Sequence, residues 1–154
     1  MANQNTPQPM NHEQVRDLLK HIDATQNETV KSNIFAQLGY GCFHTRQLKQ
    51  WIDGFDGDVE LFLDNINVEH KSRYWESLIF SSDKKQLILT GKEVDGCACA
   101  FADCDDPPLS LCNYCCKNFQ QELFKYLLHK PVDVTITASY LRGDRRCNTI
   151  IEIR

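Results

Sequence analysis

The sequence predicts an α+β fold in which N-terminal helices are followed by an antiparallel β-sheet packed against a long helix. Apolar residues in the first half recur at helical spacing. In the second half, Val132, Val134 and Ile136 alternate with polar residues, as in a half-buried strand. A predicted helix from Cys112 to His129 precedes this alternation, and Pro131 ends the helix. Segregated helices and strands of this kind are typical of the α+β class.

The chain of 154 residues has the length of a single domain. Residues 1–10 are polar and are predicted to be a disordered tail. We expect one domain over 11–154, with a helical part at 11–70 and a sheet and cysteine-rich part at 71–154. A chain of this size buries roughly two-thirds of its unfolded surface, so it needs neither disulfides nor a metal to fold.

Two longer helices are predicted first. Asn11 suits the N-cap of a helix that ends near Ala24. A second helix is predicted from about residue 28 to 38, with Gly39 at its C-terminal stop. The following Gly39-Tyr40-Gly41-Cys42 then reads as a turn that presents the Cys42 thiol.

Shorter elements follow. Thr45 and Asp58 are plausible caps for two short helices. Residues 74–80 and 86–90 are rich in strand-forming residues and flank the polar turn 81–85, which predicts a hairpin.

Two further strands are predicted to carry cysteines. The first, from about Val94 to Phe101, carries Cys97 and Cys99, which would point to the same face because they are two residues apart. The last strand follows a turn at Gly143 and carries Cys147. We expect the last strand to pair beside the strand that carries Cys97 and Cys99.

Six of the eight cysteines fall between Cys97 and Cys116. Cys112 and Cys115 form a CxxC pair at the start of the long helix, where unpaired amides would lower a thiol's pKa. Cys97 and Cys99 supply a CxC pair close by. Four converging sulfurs fit tetrahedral zinc or an iron–sulfur cluster.

The predicted metal ligands are these two pairs with two auxiliary thiols, namely Cys97, Cys99, Cys112, Cys115, Cys147 and Cys42. Two alternatives stay open. The thiols could instead be buried, unreactive packing groups. Cys112 and Cys115 could also form a thiol–disulfide couple. Cys104 and Cys116 are expected to be bystanders.

The net charge of −4 and the scattered acidic residues argue against a nucleic-acid partner, which usually requires a basic stripe. No apolar run approaches the length of a membrane span, and the polar N-terminus lacks the apolar core of a signal peptide. We therefore expect a cytoplasmic protein without a membrane partner. Eight cysteines in a reducing compartment favour metal or redox chemistry over a disulfide framework.

A resemblance to a known group rests on residues 90–154. The residues that carry it include Cys97-Ala98-Cys99, Cys112-Asn113-Tyr114-Cys115, Lys130-Pro131-Val132-Asp133-Val134 and Leu141-Arg142-Gly143-Asp144 with Cys147. This block resembles a cysteine-rich, uncharacterised bacterial family related to L-2-amino-thiazoline-4-carboxylic acid hydrolase-like and vinyl-reductase-like small-molecule-binding domains. A small residue commonly follows the CxxC in that family, whereas this chain has Cys116.

The resemblance implies an α+β domain that is often dimeric, with a ligand pocket between the sheet and the helices. It also implies hydrolysis of a cyclic C–N bond as a possible activity. We therefore predict a cysteine-rich domain that binds zinc or an iron–sulfur cluster through CxC and CxxC, with a small-molecule pocket and a homodimeric state. The alternatives are a hydrolase of a cyclic C–N bond and a thiol–disulfide oxidoreductase.

Overall fold

The structure, a computed structural model, describes residues 10–45, 47–69 and 72–154. It confirms the predicted α+β class. The helices are α1 (His12–Thr25), α2 (Glu28–Thr45), α3 (Leu48–Asp53), α4 (Val59–Asn67) and α5 (Lys117–Leu128). The strands are β1 (Trp75–Phe80), β2 (Gln86–Gly91), β3 (Val132–Ala138) and β4 (Asn148–Ile153). A π-helical segment, Leu111–Cys116, leads directly into α5, and short 3₁₀ turns lie at Ala100–Ala102 and Tyr140–Arg142.

The four strands form one antiparallel sheet in the order β1-β2-β4-β3. The β1–β2 hairpin is closed by the predicted polar turn, in which the Asp83 carboxylate accepts from the Ser81 hydroxyl and the Lys85 amide. Strands β3 and β4 form the second hairpin, and β4 lies between β3 and β2. Each of the two central strands, β2 and β4, is therefore paired on both sides.

One face of the sheet is buried under the helices and forms the larger hydrophobic core. Alternate residues point inward, so Leu87 and Ile151, which are register partners on β2 and β4, are both fully buried. Phe62 of α4 and Phe124 of α5 cover them and are also fully buried. The alternation seen in the sequence therefore defines the packed face.

A second, smaller core joins the N-terminal helices to the cysteine-rich segment. Leu19 of α1 and Phe35 of α2 pack with Leu111 and Cys115 of the π-helical segment. Polar contacts add to this packing, because Asp23 accepts a hydrogen bond from Ser110.

The predicted strand from Val94 to Phe101 is wrong. Residues 92–99 form an irregular loop, followed by the 3₁₀ turn at Ala100–Ala102. The physical reason is the sheet topology: β4 already pairs with β2 and β3, so it has no free edge for another strand. Cys147 lies just before β4 rather than within it.

The predicted turn at Gly39–Cys42 is also wrong, since α2 continues without interruption to Thr45. Gly39 is retained in the helix for packing rather than for a turn. A Cβ atom at this position would lie 2.1 Å from the carbonyl oxygen of Cys115. Cys42 therefore projects from a helix face and not from a loop.

The predicted tail lies outside the described residues, except for Met10, which is exposed. Among the described residues, no helix combines the length and the apolar character that crossing a bilayer requires. The cytoplasmic location and the division into helical and sheet parts stay predictions.

Candidate functional site

The π-helical segment Leu111–Cys116 places three thiols close to the other cysteine-bearing elements. A π-helix contains an extra residue relative to an α-helical turn, and such segments are rare and frequent at functional sites. Cys112 and Cys115 are buried, whereas Cys116 is partly exposed. Cys115 and Cys116 line a common cavity, whereas the Cys112 thiol is directed to Ser139.

Helix α2 packs closely against the backbone of this segment at Gly39. Gly39 faces the Cys115 carbonyl and also the amide nitrogen of Phe119, which would lie 3.0 Å from a Cβ atom at residue 39. Because Cys42 is three residues further along α2, it lies on the same face as Gly39, about one turn on. The Cys42 and Cys115 thiols share a hydrogen bond across this contact.

A cavity of about 110 Å³ lies between α2, the 98–99 loop, the π-helical segment and α5. We call it the thiol cavity. Its lining consists of four cysteines and three apolar residues: Cys42, Cys99, Cys115, Cys116, Ala98, Leu111 and Phe119. Few polar groups other than thiols face this space, so it is suited to apolar contents.

Three further thiols, Cys97, Cys112 and Cys147, lie in or near the π-helical segment but do not line the thiol cavity. Besides burial, the proximity of Cys147 raises the pKa of Cys112, and the proximity of Cys147 and Cys112 contributes to the raised pKa of Cys97. The Cys112 thiol donates to the Ser139 hydroxyl at 2.8 Å, and the backbone amide of Tyr140 donates to the Cys147 sulfur at 3.4 Å. These thiols are therefore held by protein hydrogen bonds.

Cys116 lies beside a buried glutamine on α5. The Gln120 side-chain nitrogen donates to the Cys116 sulfur at 3.4 Å. The Gln120 side-chain oxygen is buried and has no hydrogen-bond partner among the described residues. Cys104, in contrast, bonds only weakly to the carbonyl of Phe101, at 3.8 Å.

Four thiols of this region, Cys97, Cys112, Cys115 and Cys116, have raised pKa values and are held in their neutral form. Burial raises the pKa of Cys97 to about 11 and that of Cys116 to about 12, and it also raises the pKa of Cys112. The hydrogen bond with Cys42, followed by burial, raises the pKa of Cys115. The predicted lowering of thiol pKa values at the helix start is therefore wrong, because desolvation outweighs the amide dipoles here.

The predicted metal- or cluster-binding function is also wrong. The structure does gather Cys97, Cys99, Cys112, Cys115, Cys147 and Cys42 into one neighbourhood. However, within 10–45, 47–69 and 72–154 no group of three or more His, Cys, Asp or Glu side chains could hold a metal ion. Several of these thiols are instead engaged in separate contacts, such as Cys112 with Ser139 and Cys147 with the Tyr140 amide, and no ligand set for zinc or an iron–sulfur cluster is assembled in the described ranges.

An open cleft of about 940 Å³ lies outside the thiol region, between α1 and the loop at 95–107. Its walls carry charges of both signs, including Arg16 and Lys20 of α1. These two side chains donate hydrogen bonds to the backbone carbonyls of Asp103 and Asp105. These hydrogen bonds hold the loop against α1.

Three residues that hold the thiols were not identified from the sequence. Ser139 is completely buried against Cys112, Gln120 contacts Cys116, and Arg142 donates to the Asn113 side chain at 2.7 Å. Ser139 and Arg142 act across tertiary contacts, whereas Gln120 acts within one helical turn, and single residues of these types carry no periodic signal. The four-residue spacing of Cys116 and Gln120 was the only feature that could have indicated one of these contacts.

The sequence matches no protein-family model and no curated protein. Its structure is similar to the crystal structure of a trafficking protein particle complex subunit 3 from Naegleria fowleri covalently bound to palmitic acid, with a TM-score of 0.54. The similarity covers 94% of this chain and 95% of that chain, at 14% sequence identity. At this identity the similarity establishes the fold alone.

This similarity corrects the functional predictions further. A fold shared with a trafficking-complex subunit gives no support to the hydrolase or thiol–disulfide oxidoreductase alternatives. The resemblance to the vinyl-reductase-like group is not tested by this comparison and stays an expectation. The expected absence of nucleic-acid and membrane partners likewise stays a prediction.

Proposed function

We propose that this chain is a scaffolding subunit of a protein assembly, in the manner of a trafficking-particle subunit. The fold comparison extends over nearly the whole of both chains, so the likeness is not limited to one motif. The raised pKa values of Cys97, Cys112 and Cys116 also favour this proposal, because these three neutral thiols serve packing rather than offering a reactive thiolate.

The observation that carries the proposal is the uncovered face of the sheet. Ile79, Ile88 and Ile150 are aligned by the strand register across β1, β2 and β4, and we call them the isoleucine row. The exposed fractions are 51% for Ile79 and 37% for Ile88. An apolar row of β-branched residues on an open sheet face is suited to burial against another protein surface.

The surroundings of the isoleucine row carry both signs of charge. Glu152 and Asp133 lie in the adjacent row of the same sheet face, and the Asp133 carboxylate forms an ion pair with Arg154. A second copy of the chain, related by a two-fold axis, would meet this mixed rim without strong repulsion. We therefore propose a homodimer through this face as the simplest assembly.

The test is the molar mass in solution, measured by light scattering during size-exclusion chromatography at micromolar concentrations. We expect the wild-type chain to be dimeric or larger and the double variant Ile79→Lys, Ile88→Lys to be monomeric. Val68→Lys is the matched control, since Val68 is 69% exposed at the end of α4, away from the sheet face. A monomeric wild-type chain, or a double variant with unchanged mass, would contradict the proposal.

A second candidate function is suggested by the thiol cavity. The neighbour's structure contains covalently bound palmitic acid, and here an apolar cavity is lined by four cysteines. We propose that a partly exposed lining thiol, Cys42 or Cys99, accepts a fatty acyl group as a thioester. The cavity of about 110 Å³ is smaller than the roughly 150 Å³ that holds benzene, so α2 would have to move outward to admit the chain.

This candidate is tested with palmitoyl-coenzyme A and the intact protein mass. We expect one added palmitoyl group that hydroxylamine removes, and that is lost in the variant lacking both Cys42 and Cys99. Cys104→Ser serves as the control, because Cys104 does not line the cavity. Acylation mainly at Cys104 would indicate ordinary surface reactivity and would reject a specific site.

A further inference from the structure

Two thiols on different elements come together near the close contact between Gly39 and the Cys115 backbone. Cys42 of α2 and Cys115 of the π-helical segment line the same cavity and share a hydrogen bond. They are 73 positions apart in the sequence, so only the fold brings them together. Neither the scaffolding role nor acyl binding requires this pairing.

The backbones of the two elements approach closely near these residues. A disulfide requires Cα atoms about 4.4–6.8 Å apart, which two packed helices reach only where their backbones nearly touch. Gly39 provides such a contact, because its hydrogen atoms face the Cys115 carbonyl where a Cβ atom would lie at 2.1 Å. Cys42 follows on the same face of α2.

We propose that Cys42 and Cys115 form a peroxide-sensitive thiol pair that closes into a disulfide joining α2 to the π-helical segment. This is an oxidative modification site, independent of the proposed scaffolding role. Cys42 reacts first because it is partly exposed, whereas Cys115 is only 4% exposed.

The reaction balances with hydrogen peroxide as the oxidant. The Cys42 thiolate attacks one peroxide oxygen, the O–O bond breaks, and one water and a Cys42 sulfenic acid are produced. The Cys115 sulfur then attacks the Cys42 sulfur and displaces the hydroxyl group, which leaves as a second water with the Cys115 proton. Two thiols are oxidised by two electrons in total, and one peroxide is reduced to two waters.

The neighbouring thiols are held in different contacts. Cys112 donates to Ser139, the Cys147 sulfur accepts from the Tyr140 amide, and Cys116 lies against Gln120. A disulfide among these residues would require breaking these hydrogen bonds. We therefore expect one main disulfide.

The experiment maps the disulfide in the full chain after treatment with hydrogen peroxide and blocking of the remaining thiols with N-ethylmaleimide. Trypsin alone is insufficient, because residues 93–117 form one peptide with six cysteines. Chymotrypsin cleavage after Tyr114 separates Cys112 from Cys115. The Cys116→Ser background then removes the ambiguity between the two adjacent cysteines.

We expect the peptide containing Cys42 to be joined to the peptide containing Cys115, with loss of two hydrogens. Thermal unfolding of the oxidised chain should occur roughly 10 °C higher than that of the reduced chain, because the cross-link constrains a long loop. Cys42→Ser should remove both effects, and Cys104→Ser should leave both unchanged.

If a variant fails to fold, fragmentation of the wild-type cross-linked peptide between residues 115 and 116 in the mass spectrometer identifies the bonded cysteine. A main disulfide between any other pair would overturn the proposal. So would oxidation of Cys42 to a sulfinic acid without a cross-link.

Discussion

The sheet core and the thiol region are two cores in one chain, and they are stabilised in different ways. The sheet core consists of aliphatic and aromatic side chains such as Leu87, Phe62 and Phe124, all fully buried under regular elements. The thiol region packs Cys115 with Leu111 and uses hydrogen bonds between side chains and loops. One core depends on apolar area, and the other depends on close backbone approach and individual polar contacts.

The comparison shows what a cluster of cysteines can mean. Thiols that are buried, neutral and hydrogen bonded behave as small packing groups. The same sequence spacing would serve a metal if the sulfurs pointed to one centre. Here Cys42 and Cys99 line the thiol cavity, whereas Cys112 bonds to Ser139 and Cys147 accepts from the Tyr140 amide. Spacing within the sequence does not decide between these outcomes.

The largest effect is expected in the sheet core. Phe124→Ala removes a completely buried ring that stacks on Trp75, with ring centroids 6.0 Å apart. We expect the free energy of unfolding to fall by about 3–5 kcal/mol, through lost burial and the cavity left behind. Urea denaturation measures it. Leu61→Ala, at a site that is 50% exposed, should change stability by less than about 0.5 kcal/mol. Equal losses at the two sites would contradict this description of the core.

The second prediction compares two glycines of α2. Gly39→Ala places a methyl group against the Cys115 carbonyl, and we expect a loss of about 1–3 kcal/mol because the backbones must separate. Gly41→Ala meets no atom within 4 Å and should stabilise the helix by about 0.5–1 kcal/mol. Urea midpoints of the two variants provide the measurement. A neutral Gly39→Ala would show that the close approach is not required.

The third and smallest effect is a pH dependence that is specific to the thiol region. Burial holds the pKa of Cys97 at about 11, above the ordinary thiol value of about 8.5. The folded chain therefore keeps protons that the unfolded chain releases. The associated stability is complete below about pH 8.5 and is lost as the pH rises through about 11. We expect a loss of about 1–2 kcal/mol between these values, allowing for the partial exposure of Cys97.

Urea denaturation at both pH values, in wild type and in Cys97→Ser, measures this dependence. Because tyrosines and lysines also titrate in this range, the relevant quantity is the difference between the two proteins. A variant with a smaller loss of stability supports neutral thiols. Identical pH profiles would indicate that the Cys97 thiol ionises as it does in the unfolded chain.

The sheet core could be predicted from the sequence because its signals are local. The alternation at Val132, Val134 and Ile136 identified β3, and the polar turn at 81–85 identified the β1–β2 hairpin. The N-cap of α1 was also predicted, as Asn11 accepts a hydrogen bond from the Gln14 amide at 2.9 Å. Each of these features follows from residues close together in the chain.

The thiol region could not be predicted because its determinants are distant in the sequence. The fate of Cys97 and Cys99 depends on the β2–β4 pairing, which leaves no edge for the strand that was expected to carry them. The role of Gly39 depends on Cys115, 76 positions away. The extra residue of the π-helical segment also has no local signal, and it changes which cysteines face each other.

The most direct test of the neutral-thiol description is the native mass of the full chain, purified without oxygen. We expect the mass of each chain to equal that of the polypeptide with its eight cysteines reduced and unmodified. A stoichiometric increment corresponding to zinc or an iron–sulfur cluster would contradict it.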